Sequence, residues 1–246
     1  MHEGFSIGRH PARSLFFAAM PSSPAPVLHY IFDPLCGWCY AAAPLLAASH
    51  LPGLTLQWHA GGMLSGPARR TITPDWRAKV MPHDERIAAL TGQPFGDAYY
   101  NGLLHQIGAT LDSTPPIAAM LAAESLAGRG LEMLARAQTA HYVEGQQIST
   151  LGVLQALARD LGLDAQEFAS AYQSALADSV VPHIQESREW LQASGGQGFP
   201  TFLLEYTEAA SGTRVGQRLD ISPWLGNAAG WQAHLQQLLD GAAAPA

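Results

Sequence analysis

Both cysteines of this chain stand in one stretch, DPLCGWCYAAAP (33–44), where Gly37 and Trp38 separate Cys36 from Cys39. Two thiols at this spacing can form a redox couple, half of a metal site, or an inert pair in a core. A closed zinc site needs four ligands. There is no third cysteine, and His29, His50 and His59, though near in sequence, fall in no recognised ligand spacing. The inert reading rests on free cysteine behaving as a small hydrophobe. The neighbouring residues argue for the couple instead.

VLHYIF (27–32), apolar with β-branched and aromatic members, reads as a buried strand ending just before the pair. CYAAAPLLAASH (39–50) is rich in helix formers, with Cys39, Ala43, Leu46 and Ala47 on one face. The first thiol therefore falls at a helix N-terminus, where unpaired N–H groups and the macrodipole stabilise a thiolate. Cys36 is the expected exposed nucleophile. Cys39, one turn inward, is shielded and placed to resolve a mixed disulfide. Gly37 leaves room for substrate and Trp38 offers an apolar rim. Pro44 predicts a kink, because it removes a backbone donor inside the helical stretch. Asp33 can take a proton from Cys39 during exchange, or simply form a turn at the strand end, as Asp before Pro commonly does.

LTLQWHA (54–60) alternates as a second strand, so the chain opens as a βαβ unit with a parallel pair. AGGMLSG (60–66) is either a loop lining the site or a plain connection. From Thr73 to about Ser194 the spacing turns helical, in seven segments from PDWRAKV and DERIAALTG to VVPHIQESREWLQASG, with breakers at TGQP, DSTPP, AGRG and GLD. Pro116 and Asp164 mark helix starts. Met120 and Met133 read as core fillers. Strand texture returns in FPTFLLEY (199–206) and in TEAASGTRVGQRLDI, a hairpin turning near Ser211-Gly212. A helix through Trp231, Leu235 and Leu238 closes the chain. The expected fold is α/β, in the order βαβ…ββα. Residues 25–72 and 195–246 form one domain, 73–194 an inserted helical subdomain, and 1–24 a loose extension.

GGQGFPTF (195–202) lies far from the cysteines. Alone it reads as a Gly-rich loop entering a strand. A cis Phe199–Pro200 bond would turn the Phe199 N–H and C=O toward an extended substrate lying against Cys36.

FDPLCGWCY after a first strand and GFPTF before the third resemble the thioredoxin superfamily, and the long helical insertion resembles the DsbA family. DPLCGWCYAAAPLL is most similar to the FrnE-like branch, predicted protein-disulfide isomerases. YVEGQQIS (142–149) resembles a segment of that branch, of 2-hydroxychromene-2-carboxylate isomerases and of kappa-class glutathione transferases. The resemblance implies a thiol–disulfide oxidoreductase or isomerase with Cys36 attacking, Cys39 resolving and Pro200 as a cis-proline facing them. Gly37, Trp38 and Phe199 would contact substrate. DsbA proper carries a His in its dipeptide. Gly37-Trp38 supplies no such charge, so a less oxidising couple is expected. The glutathione-dependent relatives have Ser at the first cysteine position, which argues against their activity here.

Two other functions remain as alternatives: a glutathione-dependent isomerase or transferase on the same scaffold, and a holdase binding extended peptides. No metal or nucleotide cofactor is expected, since the Cys36–Cys39 disulfide is itself the redox centre. Glutathione is a candidate co-substrate. The expected partners are protein or small-molecule disulfides and thiols, recycled by glutathione or a thioredoxin-type reductase. Hydrolase, zincin, P-loop and dinucleotide signatures are absent.

The net charge is −7, and the 13 Lys and Arg are scattered, so no basic face offers counterion release to nucleic acid. No apolar run approaches the roughly 20 residues that span a bilayer. Arg9 and Arg13 precede an apolar patch, Leu15 to Met20, that falls short of a signal-peptide core, and Glu3 and Pro11 fit one poorly. The expectation is a cytoplasmic protein, with Met20 as an alternative start and periplasmic export as the other reading.

Overall fold

The computed structural model describes residues 24–208 and 211–243; the Arg9 to Met20 stretch and the Met20 start lie outside them. The central sheet has four strands, β1 (Val27–Phe32), β2 (Thr55–Ala60), β5 (Thr201–Thr207) and β6 (Arg214–Leu219), in the order β2-β1-β5-β6. β1 and β2 run parallel, whereas β5 and β6 are antiparallel to their neighbours. Their hairpin turns at Gly212, whose φ of 68° suits the residue without a Cβ. β1 is buried on both faces, as its near-continuous apolar sequence requires.

Between β1 and β2 the helical stretch is broken rather than bent, into α1 (Gly37–Ala41) and α2 (Ala43–Ala48). Pro44 sits in the first turn of α2 and has no N–H to give Tyr40, four residues back. Gln93 Nε2 donates to that freed Tyr40 carbonyl at 2.8 Å. The break is thus held from outside by the helical block.

That block, between β2 and β5, comprises α3 (Pro74–Thr91), α4 (Thr114–Ala127), α5 (Gly130–Tyr142), α6 (Leu151–Asp160), α7 (Ala165–Ser174) and α8 (Val180–Ala193). Thr73 caps α3 by accepting from the Trp76 N–H, and Asp164 caps α7 through Gln166 and Glu167. The two segments expected on either side of Met81-Pro82 form one helix, α3. The carbonyl that Pro82 leaves free belongs to exposed Ala78, where solvent can satisfy it. A two-residue ribbon, β3 (Arg70–Thr71) with β4 (Thr110–Leu111), also escapes the sequence reading, because its strands are too short for a period.

α9 (Ala228–Ala243) closes the chain. Its Trp231 is fully buried against Phe202 and donates to Ser49 Oγ at 2.8 Å. The sheet is therefore covered by α1, α2 and α9 on the Tyr30 and Phe202 face, and by α8, through Trp190, on the His29 face. No helix among the described residues is long and apolar enough to cross a membrane.

Candidate active site

β1 ends at Phe32 and delivers Asp33 into a tight turn. Its Oδ1 accepts the Leu35 N–H at 2.8 Å and its carbonyl accepts the Cys36 N–H at 3.2 Å. The turn reading of Asp33 holds, and the side chain does more. Oδ1 also accepts from Ser113 Oγ (2.9 Å), and Oδ2 accepts from the Met63 N–H (2.6 Å). One fully buried carboxyl thus ties the cysteine turn to the 61–64 loop and to the start of α4. Burial outweighs these donors and lifts its pKa to about 6.

Cys36 is the N-cap of α1, with extended backbone, and its Sγ accepts the Cys39 N–H at 3.4 Å. A cap position aims backbone N–H groups at the sulfur, which is what a thiolate needs. Cys36 is 7% exposed and Cys39 is fully covered; both are free thiols. Burial, and then the hydrogen bond and charge of Cys36, push the Cys39 thiol well up. Cys36 Sγ also reaches the Phe199 carbonyl at 3.5 Å, across 163 residues of sequence. The Phe199–Pro200 peptide is cis.

Phe199 is seated by Gly61. A Cβ there would stand 2.3 Å from the ring, so only glycine leaves the ring its place. Arg188 of α8 fixes the same loop, donating to the Gly61 and Gly62 carbonyls at 2.8 Å each. AGGMLSG therefore lines the site through Met63 and Leu64, as a pinned loop.

The cysteine turn borders a cavity of about 260 Å³. On the sheet side it is lined by Cys36, Gly37, Trp38 and Phe199; the helical block adds Trp76, Val80, His83, Asp84, Tyr99, His141 and Tyr142. The space beside Gly37 is taken by α3: a Cβ would come within 3.0 Å of Asp84 Oδ1 and of Ile87. Trp38 meets His83 edge-on at 5.6 Å. Tyr99 OH donates to Asp84 Oδ2 at 2.8 Å, leaving Oδ1 beside Gly37. Burial raises Asp84 to about 6 and lowers His141 to about 4.

The residues expected at the site, Cys36, Gly37, Trp38, Cys39, Phe199 and Pro200, come together here. Asp84, Tyr99, His141, Ser113 and Arg188 were not anticipated. Asp84 alone left a signal, a carboxylate in the apolar stripe of Trp76, Val80 and Ile87. Of the three histidines weighed as ligands, His29 and His59 do meet, Nδ1 to Nε2 at 3.0 Å, under Trp190. His50 is exposed and bonds the Ala47 carbonyl. Among the described residues no three His, Cys, Asp or Glu side chains group to hold a metal ion.

Residues 27–219 match the DSBA-like thioredoxin domain. The chain belongs to the DsbA family. It is a DsbA-like thiol–disulfide oxidoreductase with a thioredoxin-like α/β fold and helical insertion. Among solved structures it is similar to the cytosolic disulfide reductase DsbM from Pseudomonas aeruginosa, at 46% identity and a TM-score of 0.79, covering 87% of this chain and 98% of that one. DsbM with GSH matches at 44% identity and 0.78, covering 87% and 99%. A candidate protein disulfide isomerase from Nitrosomonas europaea follows at 27% identity and 0.68, covering 88% and 96%. No curated protein matches the chain.

Proposed function

We propose that this DsbA-family chain is a cytoplasmic disulfide reductase of the FrnE-like branch, working on small thiols and disulfides, with glutathione as co-substrate. The observation that carries this is the position of Cys36 Sγ. It caps α1, takes the Cys39 N–H, faces the Phe199 carbonyl and opens on a small cavity rather than on a broad groove. The likeness to DsbM, a cytosolic disulfide reductase also solved with GSH, supports the direction and the co-substrate. A reducing compartment keeps such a pair as dithiol between turnovers.

The Cys36 thiolate bonds to one sulfur of a disulfide RSSR′, and the S–S bond breaks. R′S⁻ leaves with the electron pair and takes up a proton. Cys39 loses its proton and attacks Cys36, releasing the second half as RSH and closing the Cys36–Cys39 disulfide. Two electrons have passed from the protein to the substrate, and two molecules of a small thiol such as glutathione return them. Cys39 is the slow partner to ionise, because burial holds its thiol up. Its attack therefore gains from a nearby proton acceptor, and Asp33, ionised above about pH 6, is the buried carboxylate at that turn. In the mixed disulfide the Phe199–Pro200 loop holds the substrate backbone beside Cys36, while Gly37 and Trp38 border it.

The test is single-turnover reduction of glutathione disulfide and of insulin by pre-reduced wild type, Cys36→Ser and Cys39→Ser, with the starting dithiol as the electron source. Cys36→Ser should lose about a thousand-fold or more in rate, and Cys39→Ser should trap a mixed disulfide detectable by mass. Full turnover by Cys36→Ser would refute the reading and revive a glutathione-dependent isomerase or transferase.

A further inference from the structure

A second recess, of about 660 Å³, is lined in part by Trp76. Trp76 lines both it and the cavity of Cys36, so one residue borders two spaces. The recess is bounded by Arg69, Arg70, Lys79, Thr71 and Asp75. Three cations against one carboxylate make it locally basic, in a chain whose net charge is −7. Arg69 is partly engaged, 3.6 Å from Asp112 and bonded through Nε to the Gly66 carbonyl. Arg70 donates only to the neighbouring Arg69 carbonyl. Neither Arg70 nor Lys79 forms an ion pair among the described residues, and both are exposed.

A disulfide substrate has two halves, and the cavity beside Cys36 is small for both. The half that bonds to Cys36 must lie in that cavity. The half that departs as a thiolate needs room next to it and gains from positive charge. We propose that the basic recess beside Trp76 holds the departing half of a carboxylate-bearing small disulfide, with Arg70 and Lys79 as its specificity-determining residues. This rests on the exchange reading of Cys36 given above. It adds a substrate class: disulfides with anionic ends, selected over neutral or cationic ones by a site outside the cysteine cavity. Guanidinium and ammonium groups serve a carboxylate well here, because an exposed site steers by long-range charge without burying it.

Three full-length proteins decide the matter: wild type, Arg70→Glu/Lys79→Glu and Arg70→Gln/Lys79→Gln. Each is pre-reduced, so that its own dithiol supplies the two electrons, and its saturating and second-order rates (kcat/KM) of oxidation are measured with glutathione disulfide, which carries carboxylates on both halves, and with cystamine, which carries an ammonium on each. With glutathione disulfide the charge-reversed variant should lose about tenfold, chiefly in KM, and the neutral variant should lose less. With cystamine the charge-reversed variant should hold or gain. Added salt should weaken glutathione disulfide turnover in wild type and leave the neutral variant nearly flat. An equal change with both substrates, or no change with either, would overturn the inference. Wild-type turnover of cystamine without glutathione disulfide would overturn it alone, leaving the exchange reading intact. Turnover of neither would overturn both.

Discussion

Two sets of buried polar side chains share this chain, and they are finished differently. Under α8, His29 is used at both nitrogens, by His59 Nε2 at 3.0 Å and Glu205 Oε2 at 3.3 Å. Glu205 is anchored in turn by Arg214 at 2.7 Å, and Trp190 stacks on His29 at 4.2 Å. Around the cysteine turn, Asp33 is equally saturated, but Asp84 is held on one oxygen only and borders a cavity. A saturated set fixes the fold, whereas a set left open on one side has capacity for a substrate.

The two sets also answer pH with opposite sign. Burial keeps His59 neutral down to about 4, while the unfolded chain takes up its proton near 6.5. Its contribution to stability is therefore lost as pH falls from about 6.5 to about 4. Asp33 and Asp84 hold protons up to about 6 in the fold and release them near 3.8 when unfolded. Their contribution is full below about 3.8 and is lost as pH rises to about 6.

The largest test of this contrast is Asp33→Ala, which strands the Leu35 and Met63 N–H groups and the Ser113 hydroxyl in the core. It should cost about 3 kcal/mol or more in denaturant unfolding, and it should slow exchange as the loops part. His29→Leu should cost about 2 kcal/mol by the same measurement, with exchange unchanged. A fall in exchange there would erase the distinction between the two sets. The effect seen only as a change with pH belongs to Asp84→Asn, which keeps the Tyr99 contact and removes the charge. Relative to wild type it should gain about 2 kcal/mol as pH rises from 4 to 7, while the inflection of exchange near pH 6 that belongs to Asp33 stays. Parallel pH curves would place Asp84 with the closed histidines.

The sequence already contained the order of the elements, the cysteine turn and a disturbance of the helix at Pro44, because each is written in neighbouring residues. Strand texture before Cys36, helix formers after it and a missing N–H at 44 are local facts. The walls of the cavity are not local. Asp84, Tyr99 and His141 come from three separate elements of the helical block, and nothing in their own neighbourhoods says which way the block packs. Arg70 and Lys79 belong to the same class, charged residues that only the ribbon and α3 bring to one recess. Gly37 shows the limit from the other side. Its smallness was legible, but not that α3 fills the space beside it.

The contact between Cys36 and the Phe199 carbonyl spans 163 residues. During synthesis at about 5–20 residues per second, the thiol emerges roughly ten to thirty seconds before the carbonyl that will face it. Through that interval neither the helical block nor the Phe199 loop is complete, and the pair is an open dithiol on a growing chain. The site cannot be assembled until Phe199 has been made, although its reactive thiols belong to the first sixth of the chain.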